Sequence, residues 1–250
     1  MSLPSFYLDD KVIIITGASG GVGKALSLGL AEAGAAVVAV ARRPAPLQAV
    51  AEEIRINGRK VLAVPADITK SSQVSEMVQK TLSEFGRIDV LVNCAGGGIT
   101  EPMLSISEES WDYMLDFNLK SVFLCSQMVG RVMVGQKIGS IINFSTAGAQ
   151  SPVPGLNHYL SAKAGVIHFT RILAAEWGRY NVRVNCISPG LIDDALGRSM
   201  GDAMFEKTAA STALGRAAQP EDFIPITMFL ASDAAAYITG VIINMNGGPI

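Results

Sequence analysis

The sequence predicts an α/β fold: a doubly wound parallel sheet of about seven strands with helices on both faces, in a single domain. Three observations predict it. Short apolar runs alternate with longer amphipathic segments along the chain, the order that parallel pairing through right-handed helical crossovers requires. Those runs are apolar at nearly every position, as strands buried on both faces are. The first of them leads directly into a glycine cluster, Gly17 to Gly23, where a helix N-terminus should open.

Element by element, Val12 to Thr16 is the first strand, and a helix runs from about Val22 to Ala33 before Gly34 ends it. Val37 to Ala41 is the second strand. Pro46 to Ile56 is helical in pattern and stops near Asn57-Gly58, and Val61 to Ala66 is the third strand. Ser71 to Phe85 is a helix, with Ser71 or Ser72 as its N-cap. Asp89 to Asn93 is the fourth strand, and Glu108 to about Val134 reads as one long helix. Ser140 to Ser145 is the fifth strand, followed by a helix from Asn157 to roughly Tyr180. Val182 to Ser188, a helix over Glu221 to Ala231 opened by Pro220, and Val241 to Met245 complete the pattern. Gly190 to Arg216 is the least regular stretch, rich in Gly, Ala and Met, and is expected to be a substrate lid or binding loop. No linker or repeat divides residues 1–250.

Composition narrows the function. The chain has 250 residues, 49% hydrophobic and only 17% charged, which suits one large core or self-association. The formal net charge of -2, with acids and bases interspersed, gives no basic stripe for nucleic acid. Cys94, Cys125 and Cys186 each lie in an apolar segment, so they are read as reduced thiols in a reducing, cytoplasmic setting. Met1 to Asp10 lacks the pattern of a secretory signal, and no uninterrupted apolar run of about twenty residues suggests a membrane span. Asp193, Asp194 and Asp202 lack tight ligand spacing, so no metal is expected.

The motifs carry the chemistry. Thr16-Gly17-Ala18-Ser19-Gly20-Gly21-Val22-Gly23 lies between the first strand and its helix. Such a turn lets a phosphate reach backbone N–H groups at the favourable end of the helix dipole. The spacing differs from G-x-G-x-x-G, but the Rossmann-like mechanics are shared. In such folds a carboxylate about 20 residues on holds the ribose 2′-OH. Here Ala41 stands there, followed by Arg42 and Arg43, which favour a 2′-phosphate and therefore NADP(H), with NAD(H) as the alternative. Tyr159 and Lys163 are four apart and share a helix face. The lysine charge is expected to lower the phenol pKa from about 10, making an acid/base group useful near neutral pH.

With these motifs in this order, the chain resembles the short-chain dehydrogenase/reductase family from Val12 to Asn246-Gly247-Gly248. It is similar to that family's ketoacyl-carrier-protein reductases and its hydroxysteroid, sugar and polyol dehydrogenases. Thr16-Gly17-x-x-x-Gly21-x-Gly23 is similar to the cofactor motif. Asn93-Cys94-Ala95-Gly96 resembles Asn-Asn-Ala-Gly, with Cys94 replacing the second Asn. The resemblance implies that Asp67, with Ile68, meets the adenine, that Pro189-Gly190 turns beside the nicotinamide, and that Ile192 holds its carboxamide. It implies a catalytic set of Asn118, Thr146, Tyr159 and Lys163: Tyr159 as acid/base, Lys163 on the phenol and the nicotinamide ribose, and Asn118 holding a relay water. The usual Ser position falls on Thr146, favoured over Ser145, whose side chain should face the other side of the strand. Asp194 replaces a Thr expected to cap the cofactor, so either it points away or the loop holds the cofactor differently. Gly20 replaces a frequent basic residue.

The implied activity is NADP(H)-dependent hydride transfer to a small-molecule carbonyl or from an alcohol. The alternatives are an NAD(H)-dependent alcohol, sugar or steroid dehydrogenase, and a non-catalytic dinucleotide-binding regulator. A homotetramer is implied, with the helices around Asn118 and Tyr159 as its interface. His158 is expected to line the cleft and His168 to be a packed or surface residue. Met200, Met204 and Phe205 are expected to line the substrate pocket, to pack the lid, or both.

Overall fold

The computed structural model describes residues 6–151 and 153–248; residues 1–5, 152 and 249–250, which the single-domain reading includes, lie outside the described residues. Seven parallel strands form one sheet: β1 (Val12–Thr16), β2 (Ala36–Ala41), β3 (Val61–Pro65), β4 (Val90–Asn93), β5 (Gly139–Phe144), β6 (Val182–Pro189) and β7 (Ile242–Met245). Their order is β3-β2-β1-β4-β5-β6-β7. The chain runs outward from β1 to β3, then crosses back to place β4 on the other side of β1. That reversal opens a crevice at the carboxyl ends of β1 and β4, where ligands of such sheets bind.

The expected burial on both faces is met in β1, β2, β4 and β5, while the edge strands β3 and β7 are only partly buried. All five residues of β1 are buried. Ile13 and Ile15 face one core layer, with Leu26 and Leu30 of α1 (Gly21–Glu32), Leu47 and Ile54 of α2 (Pro44–Ile56) and Leu230 of α9 (Ile224–Ala231). Val12 and Ile14 face the other, with Val74 and Met77 of α3 (Ser71–Phe85), Val129 and Met133 of α5 (Ser121–Gln136) and Leu173 of α6 (Asn157–Trp177). Alternate side chains leave a strand on opposite sides, so an apolar run feeds both layers at once.

Several boundaries differ from the sequence reading. The expected helix from Glu108 to Val134 is α4 (Glu108–Leu115), a π turn over Asp116–Lys120, and α5. Asn118 sits in that turn, and its Nδ2 donates to Met114 O at 3.1 Å. A side chain competing for the carbonyl of residue i−4 disturbs the regular ladder. Neither Ser71 nor Ser72 caps α3; Lys70 is the N-cap and provides no side-chain bond. A 3-10 turn, Pro220–Phe223, precedes α9, and another, Gly178–Tyr180, follows α6. The irregular stretch after β6 contains two short helices, α7 (Ala195–Arg198) and α8 (Asp202–Ala210). Among the described residues no helix is long and apolar enough to cross a membrane.

The packing of α5 on α6 is tight at one point. A Cβ on Gly130 would stand 2.5 Å from the Trp177 ring, whereas one on Gly135 meets nothing within 4 Å. Gly130→Ala is therefore expected to destabilise the fold by about 1–3 kcal/mol through overpacking. Gly135→Ala is expected to be neutral or to stabilise it by up to about 1 kcal/mol. Urea unfolding of the two variants separates these outcomes.

Candidate active site

A cleft of about 730 Å³ crosses the carboxyl ends of the strands. At its centre lies the glycine turn. Gly17 and Gly21 have φ of +76° and +48°, and a Cβ on Gly23 would collide with Gly17 O. These positions are closed to larger residues by geometry. The N-cap of α1, Gly20, has no side-chain cap, and the first turn carries no acidic residue. The helix therefore presents its positive end and N–H groups to the cleft. Gly17, Ser19, Gly20, Gly21, Val22 and Gly23 all line it.

At one end are Arg42, Arg43, Asp67 and Ile68. Arg42 and Arg43 are exposed, and the Arg42 guanidinium lies 5.4 Å from the centre of the Phe117 ring, within cation–π range. Burial alone would raise the Asp67 pKa. Bonds from Thr69 Oγ (2.8 Å) and N (3.0 Å), with the charges of Arg42 and Lys70, instead hold it below its ordinary value.

At the other end stand Thr146, Tyr159 and Lys163. Lys163 is 3% exposed and donates to Phe144 O at 2.8 Å. Burial pushes its pKa down to about 8, with the thiols of Cys94 and Cys186 acting weakly in the other direction. Tyr159 does not follow the sequence expectation. Burial pushes its pKa up to about 12, a bond with Thr146 partly offsets this, and Asp194 adds to the rise. The lysine does not lower the phenol pKa in this arrangement because its ammonium is directed to the strand carbonyl. Ser145 Oγ donates to Lys163 O (2.9 Å), while Thr146 bonds the phenol and its Oγ lies 3.4 Å from Pro189 O. The adjacent hydroxyls thus serve different partners, as alternation along a strand requires.

Asn118 is fully buried against the same corner. Its Oδ1 accepts Gly97 N (3.1 Å), and Nδ2 donates to Gly97 O (2.9 Å) and Met114 O. Both amide donors are engaged, which leaves only acceptor capacity for a bridging water. A Cβ on Gly96 would stand 2.8 Å from Lys163 Nζ and 2.9 Å from Asn118 Oδ1. Ala95, Gly96, Pro189, Gly190 and Ile192 also line the cleft.

Two expected residues stand off the cleft. Asn93 is buried away from the cleft, its Nδ2 bridging Asn143 Oδ1 (2.9 Å) and Ser126 Oγ (3.2 Å), so its side chain joins β4 to β5. His158 is also off the cleft wall and fully buried. Asp194 does not point away: Oδ1 caps α7 by accepting Gly197 N (2.8 Å), while Oδ2 would lie 3.1 Å from a Cβ on Gly21. Lid residues divide their work. Met200 lines the cleft, Phe205 is 2% exposed beneath the Arg198 guanidinium, and Met204 is exposed. The sequence reading missed cleft-lining Thr100, Phe117, Leu156 and Leu196. Their only signal was an apolar or small residue beside a recognised motif.

A glycine-cradled helix end joined to a Tyr beside a buried Lys at the switch of a parallel sheet defines a dinucleotide-using oxidoreductase class. Residues 17–249 match the sequence profile described as enoyl-(acyl carrier protein) reductase. The chain is 37% identical over 241 residues to 3-oxoacyl-(acyl-carrier-protein) reductase of Thermotoga maritima, covering 96% of this chain and 98% of that one. It is 39% identical over 245 residues to the same-named protein of Synechocystis sp., covering 97% and 98%. A Beutenbergia cavernae protein crystallised with NADP at low occupancy superposes with a TM-score of 0.92 at 32% identity, covering 97% of each chain. The chain belongs to the short-chain dehydrogenase/reductase family and is an oxidoreductase acting on carbonyl or alcohol groups with NAD(P).

Proposed function

We propose that the protein is an NADPH-dependent reductase of apolar carbonyl compounds, with a 3-oxoacyl thioester as the favoured substrate class and Tyr159 as the proton donor. The observation that carries this reading is the cleft itself. It joins an uncapped helix end and an arginine pair to a neutral, half-buried phenol beside Thr146.

The cleft fits a dinucleotide. The space that Cβ atoms at Gly17, Gly21 and Gly23 would fill is left to the turn, so a diphosphate can approach the N–H groups of α1. Arg42 and Arg43 would take the 2′-phosphate, Asp67 and Ile68 the adenine, Ala95 and Gly96 the central span, and Pro189, Gly190 and Ile192 the nicotinamide. When bound, the nicotinamide supplies the hydride. Thr146 orients the substrate oxygen, and Tyr159 gives it a proton as negative charge develops. Lys163 serves the ribose and refills the phenol, through a water accepted by Asn118. A phenol pKa pushed up to about 12 leaves Tyr159 with a proton to give at neutral pH.

Substrate class follows from the walls beside Tyr159. Gly98 lies against the phenol, and Leu156, Leu191, Leu196 and Met200 add apolar lining to the same cleft, which matches an acyl chain better than a polyol. The relatives' names point the same way. Residues 190–216 act as the lid over this pocket. A homotetramer is part of the proposal, supported by Phe123 and Ile172, 40% and 47% exposed on α5 and α6.

Turnover is read from the loss of NADPH absorbance with a 3-oxoacyl thioester. Tyr159→Phe is expected to lower kcat by roughly 10²- to 10⁴-fold while leaving NADPH binding near wild type; near-wild-type turnover would overturn the acid/base role. Arg42→Ala is expected to weaken NADPH by about ten- to a hundredfold more than NADH, the worth of one charge-assisted bond. Equal weakening of both cofactors would place the 2′-phosphate elsewhere.

A further inference from the structure

We propose that His158 is a positioning residue for Tyr159, held by Glu101 and Ser110 in the one tautomer able to do so. The inference rests on Tyr159 being the proton donor.

The start of α6 lacks an ordinary cap. Its N-cap is Leu156, which has no side-chain acceptor, and first-turn N–H groups have no partner within a helix. The Tyr159 N–H instead donates to His158 Nδ1 at 3.1 Å. A nitrogen that accepts carries no proton, so the ring proton is assigned to Nε2. Nε2 faces Ser110 Oγ at 3.5 Å and Glu101 Oε2 at 3.8 Å. Ser110 Oγ in turn donates to Glu101 Oε2 at 2.8 Å. The ring is fully buried, so these groups stand in for water. An imidazole with its proton on Nδ1 would have no acceptor for the Tyr159 N–H and would leave Nε2 facing a serine and a carboxylate with no proton to offer.

The same loop holds the entry to the helix from the other side. Glu101 N donates to Gly155 O at 2.7 Å, and Glu101 bridges Leu156 in parallel pairing. Three residues earlier, Gly98 lies under the Tyr159 ring: a Cβ there would stand 3.2 Å from it. One loop thus grips both the backbone turn and the phenol ring. The cluster is not a hydrolytic triad, because Glu101 bonds the serine rather than His158 Nδ1, which already serves Tyr159. Its role is to fix the first turn of α6, and with it the direction in which the phenol enters the cleft.

The test uses two variants of the full chain. His158→Leu removes the acceptor, whereas His158→Asn places Oδ1 where Nδ1 stands. The Leu variant is expected to lose roughly tenfold or more in kcat, as small misplacements of a reacting group do, with NADPH affinity unchanged. Hydrogen exchange at the Tyr159 amide should quicken in the Leu variant and stay protected in the Asn variant, which should recover most of kcat. Equal losses in both variants would reduce His158 to a packing residue, and wild-type kcat and protection in the Leu variant would also overturn the proposal. If the Leu variant does not fold, the Asn variant decides alone: near-wild-type kcat and protection support positioning, and a tenfold loss contradicts it. Because exchange is read without turnover, failure of the positioning claim is distinct from failure of Tyr159→Phe to lose activity.

Discussion

An ammonium buried without a carboxylate beside it is the constraint around which the site is arranged. Lys163 is almost wholly enclosed, and among the described residues it forms no ion pair. Removing a charge from water is costly, and a carbonyl dipole compensates only in part. The bond to Phe144 O anchors Nζ to the end of β5, and burial draws the pKa down to about 8. The neighbourhood is shaped by the same need. Gly96 must lack a side chain because Lys163 Nζ and Asn118 Oδ1 already occupy its flank. Asn118 is set into its corner by a π turn, and Ser145 ties the Lys163 carbonyl back to the strand.

The sheet determines where this corner falls relative to the glycine turn. β4 and β5 both lie beyond β1 in the strand order, so Gly96, after β4, and Thr146, after β5, meet the glycine turn across one crevice. The stiff, fully buried strands make the distances across it reproducible. The polar groups stand on the turns and on the first turns of α1 and α6. Only the stretch after β6 is built from short helices packed through few large side chains. It carries Met200, Leu196 and Asp194, which line the cleft.

Much of this was legible in the sequence, for physical reasons. Unbroken apolar runs such as Ile13-Ile14-Ile15 have one stable use, a strand covered on both faces, and the central strands β1 and β2 follow from that rule. Gly17 to Gly23 and the Tyr159/Lys163 spacing were readable because backbone conformation and helical periodicity are local properties. What failed depended on contacts distant in sequence. Asn118 leaves the helix surface to bond Gly97, twenty-one residues away. Asn93 turns to Asn143, fifty residues away. The Tyr159 pKa rises because burial, with Asp194, outweighs the effect of Thr146. His158 serves a turn capped by no side chain, which no spacing rule announces.

The buried, unpaired state of Lys163 is tested most directly by following its ionisation. In protein labelled with ¹³C at the lysine ε-carbons, the Lys163 resonance, assigned by its loss in Lys163→Met, should titrate near pH 8. A midpoint at the ordinary lysine value of about 10.4 would show a solvated or ion-paired ammonium and contradict the account given of Phe144, Gly96 and Asn118.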